Sequence, residues 1–266
     1  MKSKIVKLGC LLLIITCLSA CKNQNSKTVK VEENWIQLFN GKDIDDWIVK
    51  IRGHAVGDNY KNTFRATNGV LEVNYDEYDT FDNSFGHIYF KKPFSNYKFR
   101  LEYRFTGAQL KDGAAWANRN SGVMLHCQNP ESIGLNQKFP VSIEVQLLGG
   151  LGTEDRPTAN VCTPGTHIYL QDNLEKSHCI TSTSKTYHGN QWVKLEVLVR
   201  SDSIISHKIN GETVLTYYKP QLGGDVDFDN EKWKLKDGLP VKSGYISLQS
   251  ESSPVEFRNI ELLQLK

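Results

Sequence analysis

Short segments in which apolar and polar residues alternate recur along most of this chain, and they constrain the fold more than any other feature. Ten of them follow one another from residue 69 onward: GVLEV, HIYF, YKFRLEYRF, SGVMLHC, VSIEVQLL, WVKLEVLVR, SIISHKI, TVLTYY, GYISLQS and VEFRNIELLQL. Alternation with a period of two places successive side chains on opposite faces of a strand. Gly, Asn, Asp and Pro separate the segments, and no useful run has a helical period. The pattern predicts an all-β domain of two packed antiparallel sheets.

The strand pattern extends from about Trp35 to the C-terminus at residue 266. No internal repeat or second domain is visible, and this length suits one large sandwich, so residues 35–266 are predicted to form a single domain. The sequence INGE at Ile209–Glu212 predicts a hairpin, because Asn-Gly suits a type I′ turn. Two long polar and aromatic segments, IRGHAVGDNYKNTF and YDEYDTFDNSFGH, interrupt the pattern, and such loops often border binding sites.

The first 34 residues have a different character. Residues 1–20 join the basic start MKSKIVK to the apolar run LGCLLLIITCLSA, which is too short for a comfortable membrane span. LSAC at Leu18–Cys21 resembles a bacterial lipobox, which predicts a signal peptide over residues 1–20 and a lipid on Cys21. An ordinary secretory signal with a chance cysteine is the alternative. The polar residues 21–34 predict a tether, so we expect a cell-envelope lipoprotein that faces the periplasm and contacts the membrane through its lipid.

The charge balance argues against nucleic acid as a partner. The formal net charge is +2, but three of the 32 basic residues and none of the 30 acidic ones lie in residues 1–20. The remaining chain therefore has a formal charge of −1. A nucleic-acid-binding domain would need a concentrated basic stripe.

Three of the six cysteines remain once the first 21 residues are set aside. Cys162 and Cys179 bracket a loop rich in Thr, Gly, Pro and Asn, and disulfides persist outside the cytoplasm. These two residues are therefore predicted to form a disulfide, worth about 3 kcal/mol by loop-closure arithmetic. Cys127 is then free and buried. No CxxC or HxxxH spacing indicates a metal site, so no cofactor is predicted, with a divalent metal left open.

The segment FPVSIEVQLLGG, residues 139–150, raises the question of function. Its apolar face consists of Val141, Ile143, Val145 and Leu147. Its other face places Glu144 beside Gln146, a carboxylate next to a carboxamide. Such a pair either faces a substrate groove or belongs to a buried hydrogen-bond network that fixes the strand register.

Other strands supply polar groups with the same alternation. RNSGVMLHCQNP places Met124 and His126 on one face, so His126 and Glu144 are expected to face one groove if the two strands are neighbours. SLQSE adds Gln249 and Glu251. Convergence of several polar groups from separate strands favours a binding site over packing alone.

A conventional glycoside hydrolase needs two carboxyl groups that flank the scissile bond. The alternate residues on the polar side of this strand are Glu144, Gln146 and Leu148, and only one of them is an acid. The amide of Gln146 cannot exchange a proton at neutral pH, so it is predicted to bind or orient a substrate. The apparent lack of a second acid makes the conventional mechanism the least favoured.

Five segments together carry a specific resemblance. IQLFNGKDIDDW, NSGVMLH, IEVQLLGG, SHKINGE and GYISLQSESSPVEFRNIEL occur in this order over residues 36–262. In order and spacing they resemble the 3-keto-glucoside 1,2-lyase/3-keto-2-hydroxy-glucal hydratase domain family, formerly called the 3-keto-disaccharide hydrolase domain, in a Bacteroidetes-type lipoprotein. The resemblance implies a concanavalin-like jelly-roll sandwich.

The resemblance also implies a chemistry that needs only one good base. A ketone at C3 of a sugar acidifies the C2 proton, a base removes it, and the C1 oxygen leaves by elimination. Glu144 is the first choice for the base, or for the residue that orients a histidine base. His126 is the alternative base or the leaving-group acid. The implied partners are a 3-keto-sugar or glycan substrate and a separate glycoside 3-oxidoreductase that makes it.

The remaining role assignments follow the same resemblance. Many family members carry arginine at position 126 and LQDHG where this chain has LQSES, so Glu251 replaces a histidine. The residues predicted to bind the substrate are Arg119, Asn120, Gln146, Gln249, Glu251, His54, His87, Tyr89 and Trp116. A structural role is the favoured alternative for His54, His87 and Tyr89, and a place in the core is the alternative for Trp116. A non-catalytic carbohydrate-binding module on the same sandwich is the main alternative function.

Overall fold

Almost every regular element in the computed structural model is a β-strand. The structure describes residues 33–266, and residues 34–266 form one unit by internal contacts. The signal peptide, the lipobox with Cys21 and nearly all of the tether lie outside the described residues. Within residues 33–266 no helix is long and apolar enough to cross a membrane.

The larger of the two sheets has ten strands, numbered here in chain order, and every pairing is antiparallel. Its spatial order is β11 (Asn173–Glu175), β10 (Thr166–Leu170), β15 (Glu212–Leu222), β14 (Ile204–Ile209), β13 (Val193–Arg200), β6 (Asn96–Phe105), β17 (Val255–Gln264), β4 (Val70–Val73) and β3 (Phe64–Thr67), with β1 (Ile36–Gln37) also on β17.

The smaller sheet has seven strands and is also antiparallel. Its order is β12 (Cys179–Ile180), β9 (Asn160–Cys162), β8 (Ile143–Leu148), β7 (Asn120–Cys127), β16 (Tyr245–Ser250), β5 (Gly86–Phe90) and β2 (Trp47–Ile51). The described helices are short: three 3-10 turns at Tyr60–Asn62, Ala115–Ala117 and Pro130–Ser132, and α1 at Asn230–Lys234.

The core lies between the sheets and follows from the alternation. Val193, Leu195, Val197 and Val199 of β13 and Val123, Leu125, Ile143 and Val145 of the smaller sheet are all buried in one cluster. Each such side chain contributes about 1.5–3 kcal/mol when removed from water. The predicted sandwich of two antiparallel sheets is confirmed. The hairpin is confirmed too, because Asn210 (φ 50°) and Gly211 (φ 91°) both have the positive φ that a type I′ turn requires.

The two sheets differ in their outer faces. Ion pairs cover the larger sheet, for example Arg104 Nε with Glu256 at 2.6 Å and Arg258 Nη2 with Glu102 at 2.7 Å. In contrast, all eight residues of β7 in the smaller sheet are buried, so its outer face is covered as well as its core face. That covered polar face provides the enclosed environment in which a site can form.

The outer face of the smaller sheet places Glu144 and Gln146 at its centre. Directly paired residues point to the same side of an antiparallel sheet. Glu144 pairs with Met124 on one side and Cys162 on the other, and Gln146 pairs with Gly122. A Cβ at position 122 would lie 2.7 Å from Glu144 Oε1, so only glycine leaves room for the Glu144 side chain.

A loop covers part of this face. The Leu135 carbonyl accepts hydrogen bonds from Lys50 Nζ at 3.1 Å and from the Gly53 amide at 2.8 Å, which fixes the loop over β2. Ile133 of the same loop packs against the buried cluster of Tyr89, Met124 and Cys127. The part of the face around β8 and β9 borders an open cavity instead.

Candidate active site

A cavity of about 330 Å³ opens on the outer face of the smaller sheet. Its lining residues are Trp116, Asn120, Phe139, Glu144, Gln146, Cys162, Pro164, His178, Cys179 and Glu251. We call Asn120, Glu144, Gln146 and Glu251 the polar floor and the remainder the wall. A mostly apolar wall over a few convergent polar groups is the usual composition of a small-molecule site.

Two buried carboxyl groups dominate the floor. Glu144 is 7% exposed and Glu251 is 2% exposed. Burial raises the pKa of Glu144 to about 8. Burial, with the neighbouring Glu144 as a second cause, raises the pKa of Glu251 well above its ordinary value, and Arg156 opposes that rise. Like carboxyl groups in one site resist joint ionisation, so this pair loses its protons in separate steps.

The presence of Glu251 corrects the expectation that a single acid serves the groove. That expectation counted acids along β8, where Glu144 stands alone. Glu251 follows the end of β16, which pairs with β7 on the side away from β8. The second carboxyl therefore comes from a strand that is distant in sequence and close only in the folded sheet.

Several polar atoms in and beside the floor are buried without a partner in the described structure. These are Glu251 Oε2, Asn120 Oδ1 and Gln249 Oε1. Gln249 lies just below the floor, where its Nε2 donates to Glu251 Oε1 at 3.4 Å. An unsatisfied buried polar atom costs about 1–3 kcal/mol, so these atoms are well placed to bond ligand hydroxyls.

Arg119, which was predicted to bind the substrate, is not among the residues that line the cavity. Its guanidinium donates to the Gly189 carbonyl and to Asn190 Oδ1, and it stacks over Phe105 at 5.3 Å. Arg119 lies immediately before β7 and has a left-handed backbone (φ 47°). Its guanidinium bonds to residues outside the cavity lining.

Arg156 is the arginine whose positive charge acts on Glu251 of the polar floor. No sequence motif indicated this residue. Its Nη1 donates to the carbonyls of Gly149 at 2.6 Å and Arg119 at 3.2 Å. Its Nη2 lies 3.4 Å from the Trp116 carbonyl. From this position its positive charge favours the ionised form of Glu251.

His126 does not share a groove with Glu144, which corrects the second catalytic assignment. The pairing of β7 with β16 shifts register between Tyr245 and Ser247, and His126 has a φ of 46°. Its Nε2 donates to the Ser201 carbonyl at 3.1 Å, and its ring meets Tyr97 edge-on. A bulge of one residue re-aims the side chain, and alternation alone cannot reveal it.

The histidines and tyrosine expected from the long loops are also absent from the cavity lining. His54 Nδ1 lies 3.0 Å from Asp58 Oδ2, and its ring stacks on Tyr60. His87 and Tyr89 lie on the same sheet face but are buried beside the cavity rather than in its lining. Burial and the charge of Lys50 lower the pKa of His87 to about 3.

Trp116 does line the cavity. It is 55% exposed and stacks on Phe85 with ring planes 6° apart, so one large aromatic face stands at the entrance. Aromatic rings of this kind supply contact area for apolar and sugar surfaces alike. Phe139 and Pro164, which the sequence did not single out, extend this apolar wall.

The far wall is a disulfide. Cys162 of β9 and Cys179 of β12 are directly paired, with their Cα atoms 4.1 Å apart, and are bonded to each other. Cys127 is free and buried.

His178, immediately before Cys179, also lines the cavity and was not among the predicted site residues. No group of three or more His, Cys, Asp or Glu in residues 33–266 is arranged to hold a metal ion.

Comparison with known proteins identifies the family. Residues 34–263 match the model of the 3-keto-alpha-glucoside-1,2-lyase-like domain. The chain belongs to this family. The resemblance carried by the five segments is thereby confirmed, and the match extends from Asn34 into the last strand. No curated protein sequence matches the chain.

Solved structures share the fold. Two proteins of Parabacteroides distasonis ATCC 8503, both named as glycosyl hydrolases, have a TM-score of 0.51, at 21% and 18% identity. The alignments cover 88% and 87% of this chain and 95% and 100% of theirs. A LamA variant from Z. galactanivorans, in complex with laminaritriose and laminaritetraose, has a TM-score of 0.50 at 9% identity, covering 87% and 98%.

These identities show the fold alone, and the predicted jelly-roll sandwich is confirmed. Fold likeness does not specify a reaction, since sandwiches carry many functions. Membership of the lyase-like family makes this a carbohydrate-active, glycosyl-hydrolase-like protein.

Proposed function

We propose that this protein cleaves 3-keto-glycosides by removing the C2 proton and eliminating the substituent at C1. The pair of buried carboxyl groups in one cavity carries this proposal. Such a pair supplies a base and an acid together, because neighbouring carboxyl groups with different surroundings lose their protons in separate steps.

Glu144 acts as the base. Its pKa of about 8 lies near the operating pH, and a general base is most effective when its pKa lies there. It also lies at the centre of the floor, between β7 and β9, where a sugar ring seated on the sheet would present its C2 hydrogen.

Glu251 keeps its proton and serves as a donor. Its pKa is raised further by the adjacent Glu144, so a hydrogen bond from its carboxyl to the C3 oxygen stabilises the enolate as charge develops. Asn160 Nδ2 donates to Gln146 Oε1 at 3.0 Å, which leaves the Gln146 NH₂ group for a sugar hydroxyl. Electron density from the broken C2–H bond forms the C1=C2 double bond as the C1–O bond breaks. Water can add to that product in the reverse sense.

A conventional glycoside hydrolase is the second candidate, and the second carboxyl is the observation that favours it. Hydrolysis by retention or inversion also needs one ionised and one protonated carboxyl. The two candidates differ in one requirement: only the elimination needs a ketone at C3.

The test uses protein that begins at Lys22, incubated separately with a 3-keto-glucoside and with the parent glucoside in deuterium oxide. We expect enone absorbance and deuterium at C2 with the keto sugar only. Cleavage of the parent glucoside would support the conventional hydrolase instead. Binding of the keto sugar without exchange would leave a carbohydrate-binding module, for which the exposed Trp116 would be the platform.

We propose in addition that the protein is anchored in the cell envelope by a lipid on Cys21 and faces the periplasm, with its substrate supplied by a separate glycoside 3-oxidoreductase. The basic start, the apolar run and LSAC at Leu18–Cys21 support the anchor. Metabolic labelling with palmitate should mark the wild-type protein and not Cys21→Ser. Equal labelling of both would overturn the assignment.

A further inference from the structure

We propose that His178 is the acid that protonates the departing C1 oxygen, which makes it a further catalytic residue of this cavity. The inference rests on the elimination proposed above. Among the histidines of residues 33–266, His178 is the one that lines the cavity with Glu144 and Glu251. Histidine is the side chain most often used for proton transfer to a reacting group.

The local structure holds His178 at a fixed place on the wall. Its carbonyl accepts hydrogen bonds from the Thr163 amide at 2.9 Å and from Thr163 Oγ1 at 3.3 Å. The next residue, Cys179, pairs with Cys162 and is bonded to it, and Cys162 pairs with Glu144. β12, which begins at the residue after His178, is therefore two strand spacings, about 10 Å, from the strand of the base.

The side chain of His178 is exposed, in contrast to the two buried carboxyl groups of the floor. The C1 substituent must leave through the open side of the cavity, since the sheet closes the other side. An acid on the wall meets that departing oxygen, whereas the floor carboxyls are occupied with the C2 proton and the C3 oxygen. An exposed imidazole also regains its proton directly from water.

The step balances without another reactant. Glu144 takes the C2 proton, and the C2–H electron pair becomes the C1=C2 π bond. The C1–O electron pair leaves with the oxygen, which takes a proton from the imidazolium of His178 and departs as an alcohol. Water returns a proton to His178 and removes one from Glu144.

The experiment compares His178→Gln with wild-type protein on two 3-keto-glucosides, one with a methyl and one with a nitrophenyl aglycone. Nitrophenolate leaves without an acid, whereas methoxide does not. We expect kcat/KM to fall by about 10²–10³ for the methyl substrate and by less than about tenfold for the nitrophenyl substrate. Deuterium exchange at C2 should keep its wild-type rate, and imidazole should restore part of the methyl activity in His178→Ala.

His188→Gln, at an exposed histidine outside the cavity lining, is the matched control and should leave all three rates unchanged. Unchanged activity of His178→Gln on the methyl substrate would overturn the proposal. So would an equal loss on both substrates together with lost exchange, which would indicate a structural role. Absence of C2 exchange in the wild-type protein would instead refute the elimination itself, and the acid assignment with it.

Discussion

Glu144→Gln is expected to lower kcat/KM for a 3-keto-glucoside by a factor of about 10²–10⁴, the usual contribution of a general base. The substitution keeps the shape of the side chain within the space that Gly122 leaves and removes its ability to accept the C2 proton. Deuterium exchange at C2 should fall with the same factor, because it reports the same proton transfer. Binding of the keto sugar should change little, since the amide still bonds hydroxyl groups.

Glu212→Gln is the matched control, because Glu212 is exposed at the hairpin beside Gly211, in a strand of the larger sheet and outside the cavity lining. It should retain full exchange and turnover. Wild-type exchange rates in Glu144→Gln would exclude Glu144 as the base, whatever the activity of the control.

The free energy of unfolding is expected to decrease as the pH rises from about 6.5 to about 8. Glu144 has a pKa of about 8 in the folded protein against an ordinary 4.5, so between these two pH values the folded state retains a proton that the unfolded chain has already released. Stability therefore falls by about 1.4 kcal/mol per pH unit for each such proton. Glu251, whose pKa is raised by burial and by Glu144, acts in the same direction.

Two buried histidines produce the opposite slope in acid. Burial lowers the pKa of His87 to about 3 and that of His207 to about 4. Below pH 6.5 the unfolded chain therefore binds protons that the folded state does not bind. Between pH 4.5 and 6.5 the histidines and the carboxyl pair oppose each other. We therefore expect maximal stability in that interval and losses on both sides.

Urea unfolding at pH 5.5 and pH 8 measures this difference. The wild-type protein should lose a few kcal/mol between the two pH values. Glu144→Gln should lose distinctly less and should be the more stable protein at pH 8, whereas Glu212→Gln should follow the wild type. Equal stability of the wild type at both pH values would show that the buried carboxyl pair ionises normally. Greater stability of Glu144→Gln would also exclude unfolding as the cause of its lost activity.

Local patterns were sufficient for much of the fold. The alternation in β8 predicts which side of the strand Glu144 takes, because the period of two is a property of the extended backbone itself. The Asn-Gly turn at Asn210 and Gly211 follows from a backbone requirement for positive φ. The pairing of Cys162 with Cys179 was predicted from compartment and composition, and the structure has that bond.

The sequence by itself determined that this chain forms two antiparallel sheets with a polar face around Glu144 and Gln146, since that information resides in neighbouring residues. Only the tertiary structure decided which other residues lie beside Glu144 and Gln146 on that face. A single-residue bulge turned His126 away, the pairing of β16 with β7 placed the following Glu251 at the cavity, and the edge pairing of β12 placed the preceding His178 there. The physical reason is that strand partners and bulges are selected by contacts between segments far apart in the chain, which no local period encodes.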